Sequence, residues 1–332
     1  MQTLLNVSKS FGRKRISPLT NKPVVKKRSF VEYGVIALKG FCMGAADVVP
    51  GVSGGTMALI LGIYEELIAA IRSFDTVFLK RMFGFNIKEA LRGVFWPFLG
   101  ALLLGIFSAV FSLAKILGWL LENQPVYIWS FFFGLVLASV FTVARQLDRW
   151  RVVTAGWMIL GTLGAYWLVG MVPLSTPETA WFLLLSGAVA ICAMILPGIS
   201  GSFILVLMGK YEYVLRAVNH RDFLTLAVVA LGAAVGLISF VRLLSWLLKK
   251  HRDVTMAALT GLMLGALRKV WPWKKTLEGM ATGDGSPFVV AHANALPSQW
   301  TMEVSIALGL AALGFLVVFT LNLWARKNNG QS

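Results

Sequence analysis

Two stretches of the chain set a proline, a glycine, a serine and a second glycine at the same spacing inside apolar sequence. The first is Val48-Val49-Pro50-Gly51-Val52-Ser53-Gly54-Gly55-Thr56; the second is Ile195-Leu196-Pro197-Gly198-Ile199-Ser200-Gly201-Ser202. Proline removes a backbone N–H and glycine admits left-handed backbone, so Pro50-Gly51 and Pro197-Gly198 read as helix breaks. The helix that restarts after each break has N–H groups with no intrahelical partner, and the helix dipole adds partial positive charge there. Small residues let an anion reach that backbone, and hydroxyls can cap the helix or donate to an oxyanion. The chemistry this favours is binding of an anion, phosphate above all. Ser53, Gly54, Gly55, Thr56, Ser200, Gly201 and Ser202 are the candidate ligands. No Gly-Lys-Ser/Thr follows either break, and no strand precedes one, which excludes a Walker loop and a dinucleotide fingerprint. The plain alternative is a pair of kinked helices with glycines for close packing. The same four residues recurring in register favour the binding site.

Charged residues within apolar sequence are the second source of chemistry. Lys39 and Asp47 lie about two turns apart, hence on one helix face. Lys39 is expected to snorkel to the nearby cytoplasmic edge. Asp47, just before the first break, has no such route, and is a candidate cation or proton site or the partner of a basic group. Glu65 and Glu212 each follow a tyrosine at matching distance from the two breaks. They either mark a return to the surface or serve in ion coupling. Arg242 sits in the middle of an apolar run, and a guanidinium matches phosphate geometry. His220, His251 and His292 fall in loops, and Cys42 and Cys192 in apolar segments without metal-ligand spacing. Neither a His-based nucleophile nor a metal or cofactor site is expected.

The elements that must position these residues are membrane helices. The chain has 332 residues, 57% of them hydrophobic and 14% charged. That is too apolar for a soluble domain of this length. Ten apolar segments can be drawn: 34–49, 54–71, 94–118, 126–143 and 152–171, then 180–196, 201–218, 224–248, 254–270 and 302–324. The first two of each set are short for a hydrocarbon core of about 30 Å. The two sets match in order. Gly62-Ile63-Tyr64-Glu65 recurs as Gly209-Lys210-Tyr211-Glu212, Gly105-Ile106-Phe107-Ser108 as Gly236-Leu237-Ile238-Ser239, and Phe133-Gly134 as Thr260-Gly261. This is an internal duplication. Whether each hairpin re-enters or spans twice, a half crosses the membrane three or five times. Two halves with odd crossings must be inverted, as in many secondary transporters.

The expected fold is therefore an all-α polytopic membrane protein of two inverted-topology repeats. Each repeat is a short broken or re-entrant hairpin plus three transmembrane helices. The expected organisation is a basic cytoplasmic arm over 1–33, repeats over 34–172 and 173–325, and a tail over 326–332. The net charge is +16, but the Lys and Arg lie mostly between apolar runs, and no nucleic-acid motif accompanies them. Most fall in 1–33, 72–92, 144–151, 249–253 and 325–332. Only Lys210, Arg216, Arg221, Arg268, Lys269, Lys274 and Lys275 fall in the opposite set of loops. The positive-inside rule then places both termini in the cytoplasm. Trp119, Trp129, Trp150, Trp246, Trp271 and Trp300 lie at segment ends, as an interfacial belt requires. Residues 276–300 read as a polar outer loop.

The first signature, from Gly44-Ala45-Ala46-Asp47 through Thr56 and on to Gly62-Ile63-Tyr64-Glu65-Glu66, closely resembles that of the bacterial polyprenyl-phosphate transporter family. The second, Leu196 to Ser202 with Tyr211-Glu212, is similar to that family's pattern too. The resemblance extends over about residues 34 to 325. It implies a flippase that returns undecaprenyl phosphate, the lipid carrier of cell-wall sugars, from the outer to the inner leaflet of the bacterial inner membrane. The implied partners are that lipid, bulk membrane lipids and a coupling ion, H+ or Na+, and no nucleic acid. Two other classes are weighed against it. An intramembrane polyprenyl-diphosphate phosphatase also uses a Pro-Gly-x-Ser motif, but an arginine follows its serine, where Gly54 and Gly201 stand here. Without that clamp the developing phosphoryl charge is unsupported. An ion or anion channel would conduct without regard to lipid phosphate.

Overall fold

The computed structural model describes residues 28–48, 53–74, 76–147, 150–171, 176–278, 289–297 and 299–329. The expected break at Pro50-Gly51 and most of the basic arm lie outside the described residues. The first half runs α1 (Phe30–Val48), α2 (Gly54–Ile60), α3 (Tyr64–Arg72), α4 (Thr76–Phe83), α5 (Ile87–Arg92), α6 (Trp96–Asn123), α7 (Pro125–Ala144) and α8 (Val152–Val169). The second runs α9 (Ala180–Ile195), α10 (Gly201–Leu207), α11 (Tyr211–Asn219), α12 (Phe223–Lys250), α13 (Arg252–Ala266), the strands β1 (Lys274–Glu278) and β2 (Val289–Asn294), and α14 (Met302–Asn329). Apart from α4 and α5 in the first half and the strands in the second, the order and approximate lengths repeat.

Differences from the expected segments have local causes. Segments 54–71 and 201–218 are each two helices; α2 and α3 are bent by 118°. At both bends a helix ends in a Schellman motif. Gly62 and Gly209 take φ of +69° and +63°. Ile63 N–H donates to Ala58 O at 3.0 Å, and Lys210 N–H to Leu205 O at 2.8 Å. Glycine supplies the left-handed turn that closes such a cap. Residues 72–92 hold α4 and α5 rather than plain loop. Residues 276–300 are not all loop, because β1 pairs antiparallel with β2 from Lys274 opposite Asn294 onward. Among the described residues, five helices, α6, α7, α8, α12 and α14, are long and apolar enough to cross a membrane. Segment 254–270 falls short, since α13 has 15 residues, about 22 Å.

Packing pairs the halves reciprocally. Within each half the first helix lies along the long one, α1 on α6 and α9 on α12; across the halves α7 packs on α14 and α8 on α13. The duplicated glycines sit at these four seams. A Cβ on Gly105 would meet Ala37 O, one on Gly236 Ala188 O, one on Gly134 Ala311 O, and one on Gly261 Met158 O. Close backbone approach without hydrophobic drive is how helices associate in lipid. The outer faces are apolar: Phe111 is 83% exposed, Trp167 69% and Leu104 66%. Such faces fit hydrocarbon, not water. Ser130, Ser139, Ser186 and Thr260 return their hydroxyls to the carbonyl four residues back, which satisfies them without water.

These seams are testable. Gly134→Leu and Gly261→Leu should each cost about 2–3 kcal/mol by forcing backbones apart, read as lower thermal stability by fluorescence-detected size exclusion. Gly309→Leu, where a Cβ would have no neighbouring atom within 4 Å, should be tolerated. Equal stability in all three would contradict the packing.

Candidate functional site

The first signature forms a short helix clasped at both ends. Ser53 is the N-cap of α2, its side chain accepting from Gly55 N–H at 3.1 Å. Asp47, at the end of α1, accepts from Gly54 N–H at 2.7 Å. A carboxylate thus occupies the helix start, where dipole and free N–H groups favour an anion. Lys39 donates to Leu61 O at 2.9 Å, at the other end of α2. The expectation that Lys39 and Asp47 share a face holds, and that face is turned to α2. Lys39 is drawn to a helix C-terminus, where a cation is favoured, rather than simply to water. Asp47 meets backbone N–H rather than a basic side chain.

The clasped helix then meets the second signature. Ser53 Oγ lies 3.2 Å from Met194 O and 3.3 Å from Leu196 O, acceptors for its hydroxyl. Tyr64 donates to Ile195 O at 3.2 Å. Gly198 N–H donates to Thr56 Oγ1 at 2.9 Å. A side chain on Gly55 would run into Ile195 O at 2.5 Å. So Ser53, Thr56 and Tyr64 satisfy the carbonyls that α9 leaves free where it ends at Leu196 and Pro197, and the N–H of Gly198. Gly198 adopts φ +90° there. Ser53, Thr56 and Tyr64 are 1%, 0% and 2% exposed. Arg72, at the end of α3, donates to Ser245 on α12 at 2.9 Å.

The second tip is built alike but seated differently. Ser200 caps α10, accepting from Phe203 N–H at 3.2 Å, and stands 3.1 Å from Ser202 Oγ. Ser202 is exposed, and Gly201 lies close to Ala190 O, 2.8 Å from where its Cβ would be. The first hairpin belongs to the main apolar core, whereas Ile199, Ile204 and Leu207 belong to a smaller separate cluster with Ala190 and Ala193. Met194 and Ser186 stand where Asp47 and Lys39 would fall by the repeat, so α10 has no charged clasp.

The other expected residues lie apart. Arg242 is on the exposed face of α12, while its neighbours Val241, Leu244 and Ser245 are buried. Glu65 is exposed and 3.4 Å from Arg252, and Glu212 is exposed. Sequence reasoning missed the bidentate pair of Arg28 with Glu66, at 2.5 and 2.8 Å. It also missed the burial of Lys210, counted there as a loop charge. Lys210 is 1% exposed and donates to Thr176 O at 2.9 Å. The adjacent Glu65-Glu66 pair gave a signal for the first; nothing local gave one for the second.

Comparison with known proteins bears on what this site does. Residues 43–287 match a family model described as undecaprenyl phosphate translocase-like. A Vibrio cholerae protein named polyprenyl-phosphate transporter is 46% identical over 300 residues, covering 87% of this chain and 96% of that protein. A Staphylococcus aureus protein of the same name is 32% identical over 257 residues, covering 71% of this chain and 85% of that protein. No solved structure matches the chain.

The clasp makes a stability prediction. Asp47→Ala should lose about 1–2 kcal/mol as a helix cap is removed. Thr56→Val, which leaves the buried Gly198 N–H without an acceptor, should lose about 1–3 kcal/mol. Thermal unfolding in nanodiscs measures both; no loss for either would contradict the docking of the two signatures.

Proposed function

The chain belongs to the undecaprenyl phosphate translocase-like family, and from that membership we propose that it carries undecaprenyl or a similar polyprenyl phosphate across the bacterial inner membrane. The direction proposed is from the outer to the inner leaflet, for reuse in cell-envelope synthesis. One observation carries the site: the N–H of Gly54 already holds a carboxylate oxygen, that of Asp47. A place shaped for one oxyanion suits another, and Asp47 moving aside would expose it to a lipid phosphate. Ser53, Gly55 and Thr56 border it. Ser200, Gly201 and Ser202 offer the matching groups on the second tip.

Two features support alternating access. Reciprocal packing of α7 on α14 and α8 on α13 is what two inverted repeats would produce. The two hairpins then occupy unlike positions, the first seated against the other half and the second more open. Exchange of these positions would carry the head from one side to the other while the polyprenyl tail stays in lipid. The distribution of Lys and Arg supports a cytoplasmic position for both termini. If H+ or Na+ couples the cycle, Asp47 is the carboxylate best placed to respond, since Glu65 and Glu212 face outward. Arg242 would reach phosphate only after α12 or the lipid moves to its exposed face.

The geometry disfavours a phosphatase. An arginine in place of Gly54 would collide with the Asp47 carboxylate, whose Oδ1 and Cγ lie 2.8 Å from the position of a Cβ there. Gly54 and Gly201 supply no arginine to clamp a transferring phosphoryl group.

In proteoliposomes, the purified protein should move labelled undecaprenyl phosphate between leaflets, and Ser53→Ala with Ser200→Ala should slow it about tenfold or more, two lost hydrogen bonds at roughly 1 kcal/mol each or above. Gradients of H+ and Na+ imposed in turn identify the coupling ion. Movement no faster than in protein-free liposomes would overturn the function; an unchanged rate in the double variant would overturn the site.

A further inference from the structure

The second hairpin has basic neighbours that the proposed transport site does not use. The last turn of α13 packs against the second break: a Cβ on Gly198 would meet Ala266 Cβ at 3.0 Å and Met263 Cα at 3.1 Å. Three residues on, Lys269 Nζ lies 4.8 Å from the centre of the Phe203 ring, and Phe203 N–H is the one that Ser200 caps. Lys274 Nζ lies 4.9 Å from the Trp129 ring and donates to Lys269 O at 2.6 Å. The nearby Arg268 is otherwise engaged, stacked over Tyr166 at 4.4 Å and donating to Tyr166 O at 2.9 Å.

Two features set the lysine pair apart from ordinary loop charges. Neither is ion-paired with a carboxylate among the described residues. Both are half-buried, and Lys274 is drawn down from the ordinary lysine range to about 8, by burial first and by the neighbouring Lys269 charge second. Two half-buried like charges close enough to repel are relieved by a nearby anion. Beside them is an aromatic shelf: Trp271 packs edge-on to Phe133 at 5.3 Å and to Trp273 at 5.9 Å. Cations next to an apolar shelf just beyond the end of α13 match an amphiphile with an anionic head.

We propose that Lys269 and Lys274 form a capture site for the phosphate monoester head of a prenyl lipid, at the mouth of the second hairpin. The aromatic shelf takes the first isoprene units, and Ser200 and Ser202 are the next polar groups the head meets. This rests on the proposed transport function and adds to it the point of entry. By the distribution of charge, that entry is on the outer side.

Farnesyl phosphate, a short prenyl monophosphate, is the probe, and farnesol and inorganic phosphate are the controls. Binding to purified protein is read by tryptophan fluorescence and calorimetry. Lys269→Gln and Lys274→Gln should each weaken farnesyl phosphate about tenfold, the scale of one charge-assisted hydrogen bond. Farnesol should be unaffected, Lys269→Arg and Lys274→Arg should retain most of the affinity, and the exposed Lys275→Gln should bind as wild type. Should the glutamine variants not fold, acylation of Lys269 and Lys274 in wild-type protein gives the same answer: farnesyl phosphate should protect both, at concentrations where inorganic phosphate does not. Wild-type binding with unchanged affinity in the glutamine variants, or no protection, overturns the capture site and leaves the transporter standing. Equal protection by inorganic phosphate overturns its assignment to lipid. A wild-type protein that binds no farnesyl phosphate overturns the capture site, while transfer of undecaprenyl phosphate in proteoliposomes tests the transport reading separately.

Discussion

The structure turns on one constraint: a helix broken inside an apolar layer leaves backbone N–H and C=O groups that no water is there to satisfy. The first signature answers it with side chains from one helix. Asp47 accepts from the N–H of Gly54 and Lys39 donates a hydrogen bond to Leu61 O. An anion and a cation thereby bracket a seven-residue helix, α2, each at the end its dipole favours. The second signature leaves the carbonyls of Met194, Ile195 and Leu196, and these are answered by Ser53 and Tyr64 of the first. Each break is completed by groups from outside its own helix.

Such completion is exchangeable in a way that a continuous helix is not. Asp47, Lys39 and the carbonyls of α9 are partners of the first tip that come from other elements, so each can be replaced by an equivalent donor or acceptor at modest cost. A phosphate offers acceptor oxygens in place of the Asp47 carboxylate. The frame around the tips differs in kind. Gly105, Gly134, Gly236 and Gly261 fix four backbone-to-backbone seams that leave no room for a Cβ. Hairpins that swap polar partners within a frame of rigid seams are what the proposed cycle requires.

Much of the architecture was legible in the sequence, because its causes are local. Apolar length gives the long helices, Pro197-Gly198 ends α9, and Ser53 and Ser200 cap the helices α2 and α10. The duplication was legible from residues whose roles are geometric, Gly62 with Gly209 in the turns and Gly105 with Gly236 at the seams. The site was legible in its parts and less so in its connections. The spacing of Lys39 and Asp47 put them on one face, but nothing in it said that the face holds α2. Arg242 was singled out by lying within an apolar run, yet which side of α12 is buried depends on α9 and α3, distant in sequence. Lys210 looked like a loop charge because its burial comes from the Thr176 segment folding over it. The two signatures look alike in sequence while their hairpins sit differently, and one local difference is that Ser186 and Met194 stand where Lys39 and Asp47 would fall.

The central claim is that the first hairpin must leave its seat for the lipid head to cross. The direct test is to lock it there without touching either tip. In protein with Cys42 and Cys192 replaced by alanine, Arg72→Cys on α3 and Ser245→Cys on α12 can be joined by a short bismaleimide, since the Arg72 side chain spans that gap to Ser245. Transfer of labelled undecaprenyl phosphate in proteoliposomes should stop in the joined protein and continue when each cysteine is blocked separately. Transfer at the full rate in the joined protein would contradict the account.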